Sequence, residues 1–218
     1  MKNGKFVGLL AGCFIAAFGT SLSAATLNAG SSIPAAGEAG PTGATFLFST
    51  GVVPITAGTF TGTLTSSVYT NDSANPYGAD KVTFVYVLHN NSSSVNPIEV
   101  LNINGYTGWA TDASYATPAS GQNPSTIARV IADIVGFHFD IGGAGVLVAG
   151  ATSSSLVVQT DAKNWKNTTA AVIDGTTADS IPALAPEIGS GNGVPEPASL
   201  AIAGVAIGGL LLRRRRQA

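Results

Sequence analysis

The sequence predicts an all-β protein whose main body is a single β-sandwich of jelly-roll or Ig-like type. Three observations lead there. Between residues 26 and 185 apolar and polar residues alternate in many short runs, and no stretch keeps a helical period for more than two or three turns. Clusters of Gly, Pro, Asn and Asp, such as NDSANPYGAD and NGYTGWATDASYATPASGQNP, separate most of these runs. Charged residues are only 10% of the chain and glycine occurs 27 times, a composition that favours strands and turns over helices. At 218 residues the chain suits one domain of ordinary size with appendages.

The expected strands number nine or so. The first runs from Thr45 to Ser49. GTFTGTLTSSVYT alternates Phe60, Leu64 and Val68 with Thr59, Thr61, Thr63 and Thr65, so it should bury one face. KVTFVYVLHN places β-branched and aromatic residues at nearly every position from Val82 to Leu88, as a strand covered on both faces would. Further strands are expected at Ile98 to Ile103, Ile127 to Val135, Phe137 to Ile141, Gly145 to Val148, Ser155 to Thr160 and Ala170 to Ile173. The Pro124 to Val135 region carries a competing signal, because Ile127, Val130, Ile131 and Ile134 also fit one face of a helix. Residues 186–193, PEIGSGNG, lack periodicity and read as a linker.

Residues 1–25 have the three parts of a secretory signal peptide. Lys2 and Lys5 supply a basic start, Phe6 to Phe18 an apolar run, and Ser23 and Ala25 the small-residue positions for cleavage after Ala25. This predicts handling by the Sec machinery and signal peptidase. Cys13 is the single cysteine and lies in the apolar run, so cleavage would leave no thiol for a disulfide, a thiolate metal site or a nucleophile.

The other end, residues 194–218, reads VPEPASLAIAGVAIGGLLLRRRRQA. Ala198 to Leu212 is apolar but short, about 22 Å as a helix against about 30 Å of hydrocarbon. As a transmembrane helix over 198–212 it needs snorkelling arginines and local thinning of the bilayer. Arg213, Arg214, Arg215 and Arg216 should stay cytoplasmic, which makes the tail a stop-transfer element for an exported body held at the inner membrane. Gly204 and Gly208 form a small-xxx-small pair, compatible with close approach of another helix.

The order of Val194, Pro195, Glu196 and Pro197, then a short apolar run, then the arginine block resembles the PEP-CTERM sorting signal of bacterial envelope proteins. The resemblance implies that the tail is recognised by an exosortase, a membrane-embedded, cysteine transpeptidase-like enzyme, and is removed near the Pro-Glu-Pro. FTGTLTSSVY with VTFVYVLHN, and LVAGATSSSLVVQTDAKNW with AAVIDG, are similar to phrases of PEP-CTERM ectodomains, which implies a β-sandwich made for export.

From Thr26 to Gly193 four bases face eleven acids, a net of −7, which argues against a nucleic-acid partner. His138 and Asp140 in GFHFD, and His89, could serve acid–base chemistry, but no G-x-S-x-G elbow supplies a nucleophile. IGGAGVLVAG has Val148 where a dinucleotide loop needs its third glycine. Asp72, Asp80, Asp112, Asp161 and Asp174 lack the D-x-D-x-D-G spacing of a calcium loop, and no metal or other cofactor is expected. The row Thr59, Thr61, Thr63, Thr65 could present hydroxyls to ice or sugar. Asn71, Asn90, Asn91 and Asn167 match the glycosylation sequon. Trp109 and Trp165 could stack on a sugar ring. The sequence therefore predicts a non-enzymatic, exported envelope or extracellular-matrix protein, with a carbohydrate-binding or adhesion module as the alternative and extracellular polysaccharide as a partner.

Overall fold

The computed structural model describes residues 26–139 and 145–188, and these are all strand, turn and loop with no helix. In chain order the strands are β1 (Ser31–Pro34), β2 (Gly37–Ala39), β3 (Thr45–Thr56), β4 (Thr61–Thr70), β5 (Thr83–Asn90), β6 (Val100–Ile103), β7 (Thr111–Thr117), β8 (Thr126–Arg129), β9 (Val135–His138), β10 (Leu156–Thr160), β11 (Asn164–Ile173) and β12 (Thr177–Glu187). They form two six-stranded sheets, ordered β1-β8-β9-β6-β11-β12 and β2-β7-β10-β5-β4-β3. All pairings are antiparallel except β2 with β7.

Both sheets feed one hydrophobic cluster. Leu64, Val68, Phe84, Tyr86, Leu88, Leu156 and Val158 come from one sheet, and Leu101, Ile103, Ile127, Val135, Phe137, Val172 and Leu184 from the other. The alternation in β4 works as expected: Gly62, Leu64, Ser66 and Val68 are buried, while Thr61, Thr63 and Thr65 are half-buried on the opposite face. β5 buries Thr83, Phe84, Val85 and Tyr86 in succession, because the loop after β4 folds over its outer face. There the Asp72 carboxylate accepts from Thr83 Oγ1 at 2.7 Å and Gln159 Nε2 at 3.0 Å, and Asn75 Nδ2 donates to the Thr160 carbonyl.

A polar thread crosses the core. Tyr86 Oη donates to the Leu184 carbonyl at 2.6 Å, so its one proton is committed and Tyr106, 2.6 Å away, donates to it. The Leu184 N–H in turn donates to Ser66 Oγ at 3.1 Å. Edge strand β12 is thus bonded to the opposite sheet.

Several expectations need correction. Pro124 to Val135 is neither helix nor one strand: β8 and β9 form a hairpin whose turn exposes Val130 and Ile131, with Ile127 fully buried. Gly145 to Val148 makes only an isolated bridge, Leu147 to Ile98, and Phe137 to Ile141 is strand only to His138 among the described residues. β1, β2, β7 and β12 were not expected. β12 also continues through Pro186 and Glu187, two residues into the stretch read as linker, pairing with Trp165 and Asn164. An edge strand tolerates Pro182 and Pro186 because half of its N–H groups have no ladder partner.

The registers give the body two poles. At one, Thr26 bridges Asp112, β12 ends at Glu187 beside Asn164, and Phe46, Tyr69, Thr83, Gln159 and Asp112 lie in a row across the second sheet. At the other, the β3–β4 turn meets the β11–β12 turn through Thr59 Oγ1, which donates to Asp174 Oδ2 at 2.6 Å. Gly175 takes a φ of 95° there, a conformation that a side chain would strain.

Candidate functional site

The described chain leaves the body at a corner built from β3, β11 and the end of β12. Trp165, paired with Pro186, stacks on Phe48 of the opposite sheet with ring centroids 4.7 Å apart and planes 15° apart. Phe46, edge-to-face on Tyr69, is 56% exposed, Leu47 42% and Phe48 39%. Two irregularities cause this. Register shifts between Phe46 and Phe48 and between Ser49 and Val52 break the alternation of β3, and Gly51, at a φ of 67°, permits the second. Lys166 follows Trp165 on β11 and is exposed, with its side chain on the opposite face of the strand.

Trp109 belongs to the same pole but does a different job. It packs half-buried against the core, and its carbonyl accepts from Arg129 Nη1 at 3.0 Å. The Arg129 guanidinium, 4% exposed, also donates to Ala132 O, Leu27 O, Tyr106 O and Thr111 Oγ1, tying β8 to the loop before β7. Trp109 is therefore an anchored loop residue, and Trp165 is half of a partly exposed aromatic pair.

A pair of carboxyls lies on the outer face of the second sheet. Asp112 is 2% exposed and its Oδ1 has no hydrogen-bond partner. Burial pushes its carboxyl up to about 6. Glu38, on β2, is pushed up to about 7, first by burial and then by the charge of Asp112. Asp112 lies in a Gly/Asn/Asp/Ser-rich stretch, and nothing local in the sequence predicts that β2 lies parallel to β7 and brings Glu38 to it.

The remaining candidates resolve individually. His89 Nδ1 lies 2.9 Å from Thr152 Oγ1. His138, with Asn102, Ala128, Ile131, Ile134 and Gly136, lines an open hollow of about 280 Å3 on the outer face of the first sheet, where burial holds its imidazole below the usual range. Asp140 lies outside the described residues, as do the first glycines of IGGAGVLVAG. Asp80 pairs with Lys163 at 2.8 Å, Asp161 accepts from the Ala110 N–H, and Asp174 accepts from Thr176 N and Oγ1. Among the described residues no three His, Cys, Asp or Glu side chains gather to hold a metal ion.

Thr59 leaves the threonine row for Asp174, so only Thr61, Thr63 and Thr65 remain aligned on β4. Of the sequon asparagines, Asn90 is fully buried and donates to Leu147 O and Asn96 O; Asn71 and Asn91 donate to Thr45 and Thr61 hydroxyls, and Asn167 is exposed on β11.

Ser23 and Ala25, Val194 to Pro197, the apolar segment 198–212 and Arg213 to Arg216 lie outside the described residues. Among those described, no helix is long and apolar enough to cross a membrane. No curated protein and no solved structure matches the chain. One family model does match, over residues 193–216, a span that begins five residues after the last described one and includes the Pro-Glu-Pro and all four arginines. The chain carries a PEP-CTERM protein-sorting motif at its C-terminus, the mark of exosortase-dependent sorting.

Proposed function

We propose that this protein is an exported, non-enzymatic component of the cell envelope or extracellular matrix: a single β-sandwich ectodomain delivered, tethered and then released through its ends. Residues 1–25 direct it through the Sec route and are cut after Ala25. Segment 198–212 with Arg213 to Arg216 then holds it at the inner membrane. An exosortase-type enzyme acts on the tail at Val194, Pro195, Glu196 and Pro197, so the tail is a substrate and the ectodomain its cargo.

The observation that carries this reading is the motif match over residues 193–216. Two features support it. Paired strand continues to Glu187, leaving ten residues between the body and Ala198, so an enzyme in the membrane can reach the Pro-Glu-Pro without unfolding the cargo. Pro195 and Pro197 are residues that disfavour helix, which suits an accessible recognition sequence.

The test is intact-mass and terminal-peptide mapping of the protein from its native cells, with inner-membrane, envelope and secreted fractions analysed separately. A species starting at Thr26 and ending between Val194 and Pro197 outside the inner membrane is expected. A species still carrying Ala198 to Ala218 in the inner membrane would refute processing and leave an anchored ectodomain.

A further inference from the structure

The corner from which the tail departs has the chemistry of a membrane interface. Phe46, Leu47 and Phe48 are exposed there and Trp165 stacks on Phe48, while the exposed Lys166 follows Trp165 on the other face of β11. Aromatic rings prefer the headgroup level of a bilayer, and lysines near the surface are drawn to anionic lipid. All three lysines of the described body lie toward this pole: Lys81 before β5, Lys163 between β10 and β11, and Lys166 on β11. Lys163 is paired with Asp80. From Ala39 to Asn71 the chain contains no charged residue, so β3 and β4 bring no carboxylate to the patch, and the acid that β12 brings to this corner is the half-buried Glu187.

Chain length brings the patch to the bilayer. Pro186 pairs with Trp165, and the ten residues 188–197 span at most about 36 Å fully extended before the apolar run begins. We propose that the corner formed by Phe46, Leu47, Phe48 and Trp165 rests on the phospholipid surface while the tail is attached. This rests on the tethering role proposed above. It fixes the orientation of the cargo: the β3–β4 and β11–β12 turns face away from the membrane, and Val194 to Pro197 are held near the surface where the sorting enzyme works.

A second copy of the chain is the competing occupant, since β3 is a twelve-residue edge strand. Its two register shifts and Pro54 interrupt the regular ladder that strand-to-strand pairing needs.

The experiment uses the full chain reconstituted in vesicles of phosphatidylethanolamine and phosphatidylglycerol, with and without bromine on the acyl chains. Trp109→Phe leaves Trp165 as the single emitter. Quenching of Trp165 by brominated lipid is expected, together with its loss in Phe46→Ser/Leu47→Ser, two exposed positions, while that variant still resists carbonate extraction. Protein that resists extraction with Trp165 unquenched would overturn the docking and spare the tether. Protein stripped by carbonate would overturn the tether itself. Chemically crosslinked dimers with unquenched Trp165 would assign the patch to a second copy.

Discussion

Phe48 and Trp165 belong to different sheets and lie face to face, 4.7 Å between centroids. The contact joins the edge of one sheet to the longest hairpin of the other, β11–β12, at the point where the chain departs. Stacked pairs contribute about 0.5–1.5 kcal/mol beyond the area they bury. A double-mutant cycle of Phe48→Ala and Trp165→Ala, followed by urea unfolding, should return a coupling of about 1 kcal/mol. A coupling near zero would show that the rings pack independently.

The hydroxyl thread predicts an order of effects. Tyr106→Phe removes one hydrogen bond and leaves Tyr86 still donating to Leu184 O, a loss of about 1 kcal/mol. Tyr86→Phe leaves both that carbonyl and the Tyr106 hydroxyl buried without a partner, at about 2–3 kcal/mol or more. Denaturation midpoints of the two variants check the ranking.

Glu38 and Asp112 predict a pH dependence of stability. Their folded values, about 7 and about 6, lie above the ordinary 4.5 and 3.8, so the folded state binds these protons more tightly than the unfolded chain. Their contribution is fully present below the ordinary values and is lost as pH rises through about 6 and 7. Glu38→Gln removes part of that loss, so its Tm should exceed the parent's above neutrality and converge with it in mild acid. Parallel Tm-against-pH profiles would argue against the pairing.

The sorting reading makes a separate prediction. Replacing Pro195, Glu196 and Pro197 together by alanine should stop tail removal without unfolding the body, because paired strand ends at Glu187. Full-length protein should then accumulate in the inner membrane, as read by immunoblot of fractionated cells. Normal release of a shortened species would place the recognition element elsewhere.

Much of the fold was legible because a half-buried strand writes its geometry into a period of two. Phe60, Leu64 and Val68 are all buried, and the dense run from Val82 to Leu88 is a strand with a covered outer face. The misses share a cause. β7 lies inside a Gly/Asn/Asp/Ser-rich stretch and buries Thr111, Asp112 and Ser114, polar residues with no apolar period to reveal them. β12 contains two prolines, a signal against strand that its edge position cancels. In Pro124 to Val135 the apolar residues fit a helix, yet β-pairing takes Ile127 inward and leaves Val130 and Ile131 in the turn.

The chain by itself determined the strand class, the lack of any cysteine besides Cys13 and the address at residues 193–216, because periodicity, composition and a linear recognition motif are local properties. Tertiary structure alone decided which edges of the two sheets meet, that Glu38 lies near Asp112, and that Trp165 stacks on Phe48 beside the end of β12. Those pairs are separated by 74 and 117 positions in the chain and become neighbours only through strand register and sheet packing, which no short window of sequence encodes.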